Sequence, residues 1–173
     1  MGRTAGDVPV ATGSIMPVVG SHTCRCTGTE VGKSKVKKTP YLRLNWCTRD
    51  GQAFYDDLYV TGKALSRLNL VASRVCEIPS DTPLPDSDAE AAKALANYIV
   101  AHIQGKDAVV LVEEKDESFI SESGDNIGQK VTVKRRRVAF AGYAKYEAAN
   151  DVPNEAPPDA LASDNVDDDT IPF

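Results

Sequence analysis

The sequence lacks any continuous apolar run long enough to cross a membrane, although 42% of its 173 residues are hydrophobic. Its first residues, MGRTAGDVPVATGSIMP, also lack the continuous apolar segment of a secretory signal peptide. We therefore expect a cytoplasmic protein with no membrane partner. A chain of this length can form one domain with a modest core, together with appendages.

Cysteine is too scarce for a disulfide scaffold, and the four thiols are expected to be buried as small hydrophobic groups. Cys24 and Cys26 lack a second pair of ligands at zinc-finger spacing, so no metal site is predicted. His22 and His102 lie on separate elements without a nucleophile partner. No glycine-rich phosphate loop precedes a helix. We expect no cofactor and no catalytic residue. The thiols are Cys24, Cys26, Cys47 and Cys76.

Basic residues are absent from the end of the chain. From Glu147 onward there are eight acidic residues and no Lys or Arg, so the other 146 residues hold 17 acidic and 20 basic residues, a net charge of +3. The acidic segment is rich in Pro, Ala and Asn and has too little apolar content to fold alone. The expected organisation is an N-terminal extension (1–19), a folded domain (20–146) and an acidic tail (147–173).

Three strands are predicted in the first part of the domain, and the second and third form a hairpin. Residues 21–29 and 41–48 alternate polar and apolar side chains, and an Asp-Gly turn at Asp50 leads into a third strand over 52–60. Trp46 shares its parity with the leucines of its strand, so it is assigned to the core. The opposite face of this hairpin is polar and aromatic.

Two helices and two strands follow. Apolar spacing predicts one helix up to about Cys76 and a second after the Ser87-Asp88-Ala89-Glu90 capping box. Strands are predicted over 108–114 and 129–141, and the second changes parity, which suggests a bulge near Arg135–Arg137. Three strands, a helical insertion and two strands are the order of a mainly β OB-fold, a five-stranded Greek-key barrel with helices between strands 3 and 4. Another small α+β barrel or sheet stays open, because strand order cannot be inferred from periodicity.

The OB-fold would expose a surface suited to single-stranded DNA. Binding without sequence preference combines aromatic rings, on which bases stack, with cations that follow the phosphates. The outer face of the hairpin, the loop before it and a basic run near the C-terminal strand supply both kinds of side chain. The candidate DNA-binding residues are Lys33, Lys35, Lys37, Lys38, Tyr41, Arg43, Tyr55, Tyr59, Lys134, Arg135, Arg136 and Arg137.

The chain ends in NVDDDTIPF. This ending resembles the C-terminal tip of bacterial single-stranded-DNA-binding proteins (SSBs), in which aspartates lead into a terminal Ile-Pro-Phe. In that family the tip implies docking of the terminal Phe and its carboxylate into a basic-rimmed apolar pocket on replication, repair and recombination enzymes. The residues that carry the resemblance are Asp167, Asp168, Asp169, Ile171, Pro172 and Phe173.

Two features differ from the bacterial family. Thr170 separates the last aspartate from Ile171, and no Gly- or Gln-rich linker precedes the tip. The stretch GKSKVKKTPYLRLNWCTRDGQAFYDDLYVTGKALSRL is more similar to OB-fold SSBs encoded by bacteriophages, which implies a bacterial host cytoplasm. A further hypothesis is that the acidic tail competes with DNA for the basic surface, most strongly at low salt. Homo-oligomer formation stays open.

Two other functions are considered. An adaptor or decoy would use the SSB-like tip to bind host enzymes without binding DNA. A Mg²⁺-dependent nuclease is suggested by Pro85-Asp86 followed by Glu113-Glu114-Lys115, although Asp86 is predicted in a loop instead of on a strand.

Overall fold

The computed structural model describes residues 16–148. Most of the predicted N-terminal extension, the predicted tail from residue 149 onward and the whole Asp167–Phe173 tip lie outside the described residues.

Five strands and two helices make up the described part of the chain. The strands are β1 (Gly20–Lys33), β2 (Pro40–Thr48), β3 (Ala53–Tyr59), β4 (Asp107–Ile120) and β5 (Lys130–Lys145). A 3₁₀ turn, Gly62–Ala64, leads into α1 (Leu65–Arg74), and α2 (Asp88–His102) follows before β4. All paired strands are antiparallel, in the order β3-β2-β1-β4-β5. The mainly β class and the two helices between the third and fourth strands are confirmed.

The β2–β3 hairpin has one buried and one partly exposed face, as its alternation predicts. Trp46 on β2 and Phe54 on β3 are directly paired and almost fully buried, which confirms that Trp46 belongs to the core. Leu68 of α1 and Leu95 of α2 are fully buried in the same cluster. These residues show that the helices and the inner face of the sheet share one core. Burying each such side chain contributes roughly 1.5–3 kcal/mol.

The second helix begins where the sequence predicts, but without the predicted capping box. Ser87 occupies the N-cap position of α2, yet its hydroxyl makes no capping hydrogen bond. Glu90 instead forms an ion pair with Lys93 at 2.8 Å. Asp88 and Glu90 in the first turn still place negative charge at the positive end of the helix dipole.

The irregularity in β5 lies farther along the strand than predicted. Arg135–Arg137 pair regularly with β4, whereas Val110 pairs with Tyr143 and Val112 pairs with Val138. One residue of β4 therefore faces the four residues 139–142 of β5. A Cβ atom at Gly142 would lie only 2.8 Å from the Leu111 carbonyl oxygen, so the bulge occurs where glycine permits this close approach.

The sheet is not closed by hydrogen-bonded strands, because no ladder joins β3 to β5 within residues 16–148. A largely buried polar network crosses this gap instead. Asp56 of β3 accepts a hydrogen bond from the Tyr143 hydroxyl of β5 at 2.6 Å. The same carboxylate oxygen accepts a hydrogen bond from Arg67 of α1 at 2.8 Å. The Tyr143 ring also packs against Trp46, with 5.7 Å between ring centroids. We call Asp56, Arg67 and Tyr143 the seam network.

Removing the Asp56 carboxylate should destabilise the fold more than removing the neighbouring Asp57 carboxylate. The Asp56→Asn change leaves the largely buried Arg67 without its counter-ion, a loss of about 3–5 kcal/mol in the free energy of unfolding. The matched Asp57→Asn change affects a more exposed ion pair and should cost about 1 kcal/mol or less. Urea denaturation measures both values. Equal losses would contradict a special role for the seam network.

The fold should also lose stability at alkaline pH. Burial raises the pKa of the Cys24 and Cys76 thiols from 9.0 to about 12. Burial, followed by the nearby Asp56 charge, raises the pKa of Tyr143 well above 10.0. The folded state thus binds these protons more tightly than the unfolded state, so their contribution is fully present below pH 9 and declines as pH rises from 9 toward 12.

Urea midpoints measured under reducing conditions across this range test the expectation. The slope should reach about 1.4 kcal/mol per pH unit for each proton involved. Tyr143→Phe should make the slope above pH 10 shallower, with Tyr59→Phe as the matched control at an exposed tyrosine. A flat stability profile between pH 8 and 11 would be incompatible with this origin.

Candidate functional site

Antiparallel pairing of β2 with β3 brings the predicted aromatic residues together on the outer face of the sheet. Tyr41 is opposite Tyr59, and Arg43 is opposite Asp57. Tyr55 lies farther along β3 on the same face, opposite Asn45. The exposed fraction is 39% for Tyr55 and 48% for Tyr59, whereas Tyr41 and Arg43 are half-buried. We call Tyr41, Arg43, Tyr55, Asp57 and Tyr59 the tyrosine face.

Arg43 is held at the centre of this face. Its Nε and Nη2 atoms donate hydrogen bonds to the two Asp57 carboxylate oxygens at 2.7 and 2.9 Å. Its Cζ atom lies 3.8 Å from the Tyr55 ring centroid and 5.5 Å from that of Tyr41. The hydrogen bonds to Asp57 raise the pKa of Arg43, so the guanidinium stays charged. Because Asp57 balances that charge, Arg43 is better placed to extend a planar stacking surface than to bind a phosphate.

Tyr41 is less accessible because its ring lies against β1. A Cβ atom at Gly32 would lie 2.5 Å from the Tyr41 hydroxyl oxygen and 2.6 Å from its Cζ atom. Glycine at position 32 therefore makes room for the ring. Tyr55 and Tyr59 are the two tyrosines of this face that offer the most surface to a ligand.

The β1–β2 loop is ordered by its own hydrogen bonds. The Ser34 amide donates to the Thr39 carbonyl at 2.8 Å, and the Lys38 amide donates to the Ser34 carbonyl at 3.1 Å. The Thr39 amide also donates to the Ser34 hydroxyl at 3.0 Å. Lys38 adopts a left-handed conformation, with φ of 52°. This tight loop holds its lysines at one end of the tyrosine face.

The lysines of this segment are exposed and carry uncompensated charge. No ion pair involves any of them within the described part of the chain. Lys35 and Lys37 line the same groove as Tyr59. The structure therefore places two of the predicted loop cations beside one of the predicted aromatic residues. The segment, which we call the lysine loop, contributes Lys33, Lys35, Lys37 and Lys38.

The second predicted basic run is largely neutralised by β4. Arg137 pairs with Glu113 at 3.0 Å, Arg135 with Glu117 at 3.1 Å and Lys134 with Glu114 at 3.7 Å. These acidic partners lie on β4, the strand that pairs with β5. A run of basic residues in the sequence gives no information about partners on another strand.

Arg136 differs from its neighbours, because it has no ion pair with any residue of the range 16–148. Together with Arg137 it lines a cleft of about 250 Å³ beside Tyr55 and Asp57. Part of the predicted run thus adjoins the tyrosine face, while Lys134 and Arg135 extend along the β4–β5 ribbon away from it.

The parity of Asp57 correctly predicted its place on the same face as Tyr55 and Tyr59, but its ion pair with Arg43 was not predicted. Two further residues that shape this surface, Gly32 and Phe140, were not predicted to do so. The contact between Gly32 and Tyr41 depends on strand register, and the exposure of Phe140 depends on the bulge in β5.

The residues considered for nuclease chemistry do not converge. Asp86 lies in the loop before α2, and Glu113 and Glu114 occupy successive positions of β4, each in its own ion pair. Within residues 16–148, no group of three or more His, Cys, Asp or Glu side chains is placed to hold a metal ion. The histidines bond to backbone carbonyls instead, His22 to Val18 at 2.7 Å and His102 to Tyr98 at 2.8 Å.

No helix in the described part of the chain has the length and apolar character needed to cross a membrane. Comparison of the sequence with protein-family models and with curated proteins finds no match. The resemblance of the C-terminal residues to SSBs therefore stays a prediction from the sequence.

Proposed function

We propose that this protein binds single-stranded DNA without strong sequence preference during replication, recombination or repair. Its C-terminal tip recruits processing enzymes to the bound strand. The observation that carries the proposal is the position of the tyrosine face beside the lysine loop. Tyr59 of this face lines one groove with Lys35 and Lys37, so an exposed aromatic ring and uncompensated cations lie together there.

The chemistry of this surface suits an unpaired strand. Stacking of a base on an aromatic side chain contributes roughly 1–3 kcal/mol, and every base has a π-face. Tyr55, Tyr59 and the Arg43 guanidinium offer such planes, while the lysine loop supplies positive charge for phosphates. A duplex keeps its bases stacked internally, so this surface favours single strands.

The strand order supports assignment to the OB-fold. That fold is a five-stranded Greek-key barrel that is partly open and binds oligonucleotides on strands 2 and 3 and the loops beside them. The order β3-β2-β1-β4-β5 leaves β3 and β5 as neighbours across the gap, as the barrel requires. The tyrosine face occupies β2 and β3, and the lysine loop joins β1 to β2.

The recruitment role is supported by the sequence of the tip. The segment Asp167–Phe173 places an aromatic residue close to three aspartates. Such a segment fits an apolar pocket with a basic rim, and the aspartates speed encounter with basic surfaces. An adaptor that binds no DNA would use the same tip but would have no use for Tyr55 and Tyr59.

Titration of fluorescent oligo-dT with the full-length protein and with a version ending at Asn165 tests the proposal. We expect tight binding that weakens with salt, and much weaker binding to duplex DNA. At low salt the shortened version should bind more tightly if the tail competes for the cationic surface. Absent or salt-insensitive binding by both versions would favour the adaptor, and Mg²⁺-dependent cleavage of the oligonucleotide would favour the nuclease.

The two predicted basic segments should contribute differently to salt dependence. Each lysine that contacts a phosphate of a single strand adds about 0.7 to the slope of log affinity against log salt. Lys35→Ala and Lys37→Ala should each reduce the slope by about this amount. Arg135→Ala is the matched control, because Glu117 already neutralises that arginine. A slope that depends on Arg135 and not on the two lysines would contradict the assignment of the phosphate path.

A further inference from the structure

The groove that Tyr59 shares with Lys35 and Lys37 lies beside the tyrosine face, between the lysine loop, the start of α1 and strand β5. This groove has a volume of about 700 Å³. Tyr59, Val36 and Phe140 provide its aromatic and apolar lining, and Lys35, Lys37 and Lys63 provide cations. We call it the seam groove, because it lies over the gap between β3 and β5.

Phe140 is exposed to this groove by the bulge in β5. Val138 and Ala139 are consecutive buried residues, so the regular alternation is broken and the next side chain, Phe140, is turned outward with 56% of its surface exposed. Bulges next to binding sites commonly redirect a side chain in this way. The seam network lies next to this ring, because the Arg67 Cζ atom is 5.8 Å from the Phe140 ring centroid. Arg67 in turn donates a hydrogen bond to Asp56.

The positive charge of the groove selects for an anionic ligand. Lys35, Lys37 and Lys63 have no ion-pair partner within the described residues, and they surround an aromatic lining. A ligand that matches both features carries a planar apolar group and negative charge close to it. A nucleotide of a single strand has this composition.

We propose that the seam groove binds a nucleobase of the same strand, stacked on Phe140, with the flanking phosphates near Lys35, Lys37 and Lys63. This inference rests on the proposed function and adds a binding site on β5 to it. Continuity favours this occupant, because Tyr59 belongs to both the tyrosine face and the seam groove. A DNA strand whose bases stack on Tyr55 and Tyr59 can therefore continue into the seam groove along the same protein surface.

The Phe140→Ala variant tests the site by titration with oligo-dT. Loss of one stacked base should weaken binding about 5- to 150-fold, whereas Phe140→Trp should retain the affinity. Phe119→Ala is the matched control, since Phe119 is an exposed phenylalanine of the same β4–β5 ribbon and does not line the groove. Near-ultraviolet circular dichroism, which reports the packing of Trp46 against Tyr143, checks that each variant is folded.

Photo-crosslinking locates the contact. Oligo-dT containing 5-iodouracil, irradiated in complex with the full-length protein, should crosslink to peptides that contain Phe140 as well as to peptides that contain Tyr55 or Tyr59. The same crosslinks should form with the version that ends at Asn165.

The outcomes separate this inference from the function on which it rests. No binding by the wild-type protein would remove the proposed function itself. Tight wild-type binding that is weakened by Tyr55→Ala and Tyr59→Ala but unchanged by Phe140→Ala would overturn only the seam groove. Tighter binding by full-length Phe140→Ala, absent in the version ending at Asn165, would assign the groove to the acidic tail and would also overturn the inference.

Discussion

The largely buried carboxylate of Asp56 links the two ends of an open sheet. Strands β3 and β5 share no ladder within the described residues, so their relative position depends on side chains. Asp56 accepts hydrogen bonds from Tyr143 on β5 and from Arg67 on α1. Burial raises the pKa of Asp56 although both partners favour its charged form, which shows how strongly the interior disfavours a bare charge at this position. Removing either partner would leave the Asp56 carboxylate with only one of these two hydrogen-bond donors.

The seam network also positions side chains on the surface above the gap between β3 and β5. Arg67 links Asp56 to the Phe140 ring, and the inward position of Asp56 on β3 leaves Tyr55, Asp57 and Tyr59 on the outer side of the same strand. The basic side chains of this surface fall into two groups, those with a carboxylate partner and those without one. Carboxylates balance Arg43, Arg135 and Arg137, whereas the lysine loop, Lys63 and Arg136 have no ion-pair partner within the described residues. We propose that aromatic planes hold the bases while these lysines hold the phosphates.

Local alternation was sufficient to predict much of this arrangement, and long-range pairing was not. The parity of Tyr41, Tyr55 and Tyr59 placed them on one face, and the parity of Trp46 placed it in the core. The ion pairs of Arg135 and Arg137 depend on which strand pairs with β5. Strand pairing cannot be predicted from the basic residues of β5 alone. The bulge was assigned to the arginines because parity changes there, but the chain accommodates it at residues 139–142, where Gly142 lacks the Cβ atom that would clash.

We propose that the outer surface of β2 and β3 binds an unpaired DNA strand and that the C-terminal tip binds other proteins, and the claim about β2 and β3 is the central one. Hydrogen–deuterium exchange of the full-length protein, with and without oligo-dT, tests that claim most directly. We predict slower exchange in Pro40–Thr48, Ala53–Tyr59 and the lysine loop when the oligonucleotide is bound. Protection confined to the opposite end of the sheet, around Arg25 and Asp107, or no protection at saturating oligonucleotide, would contradict it.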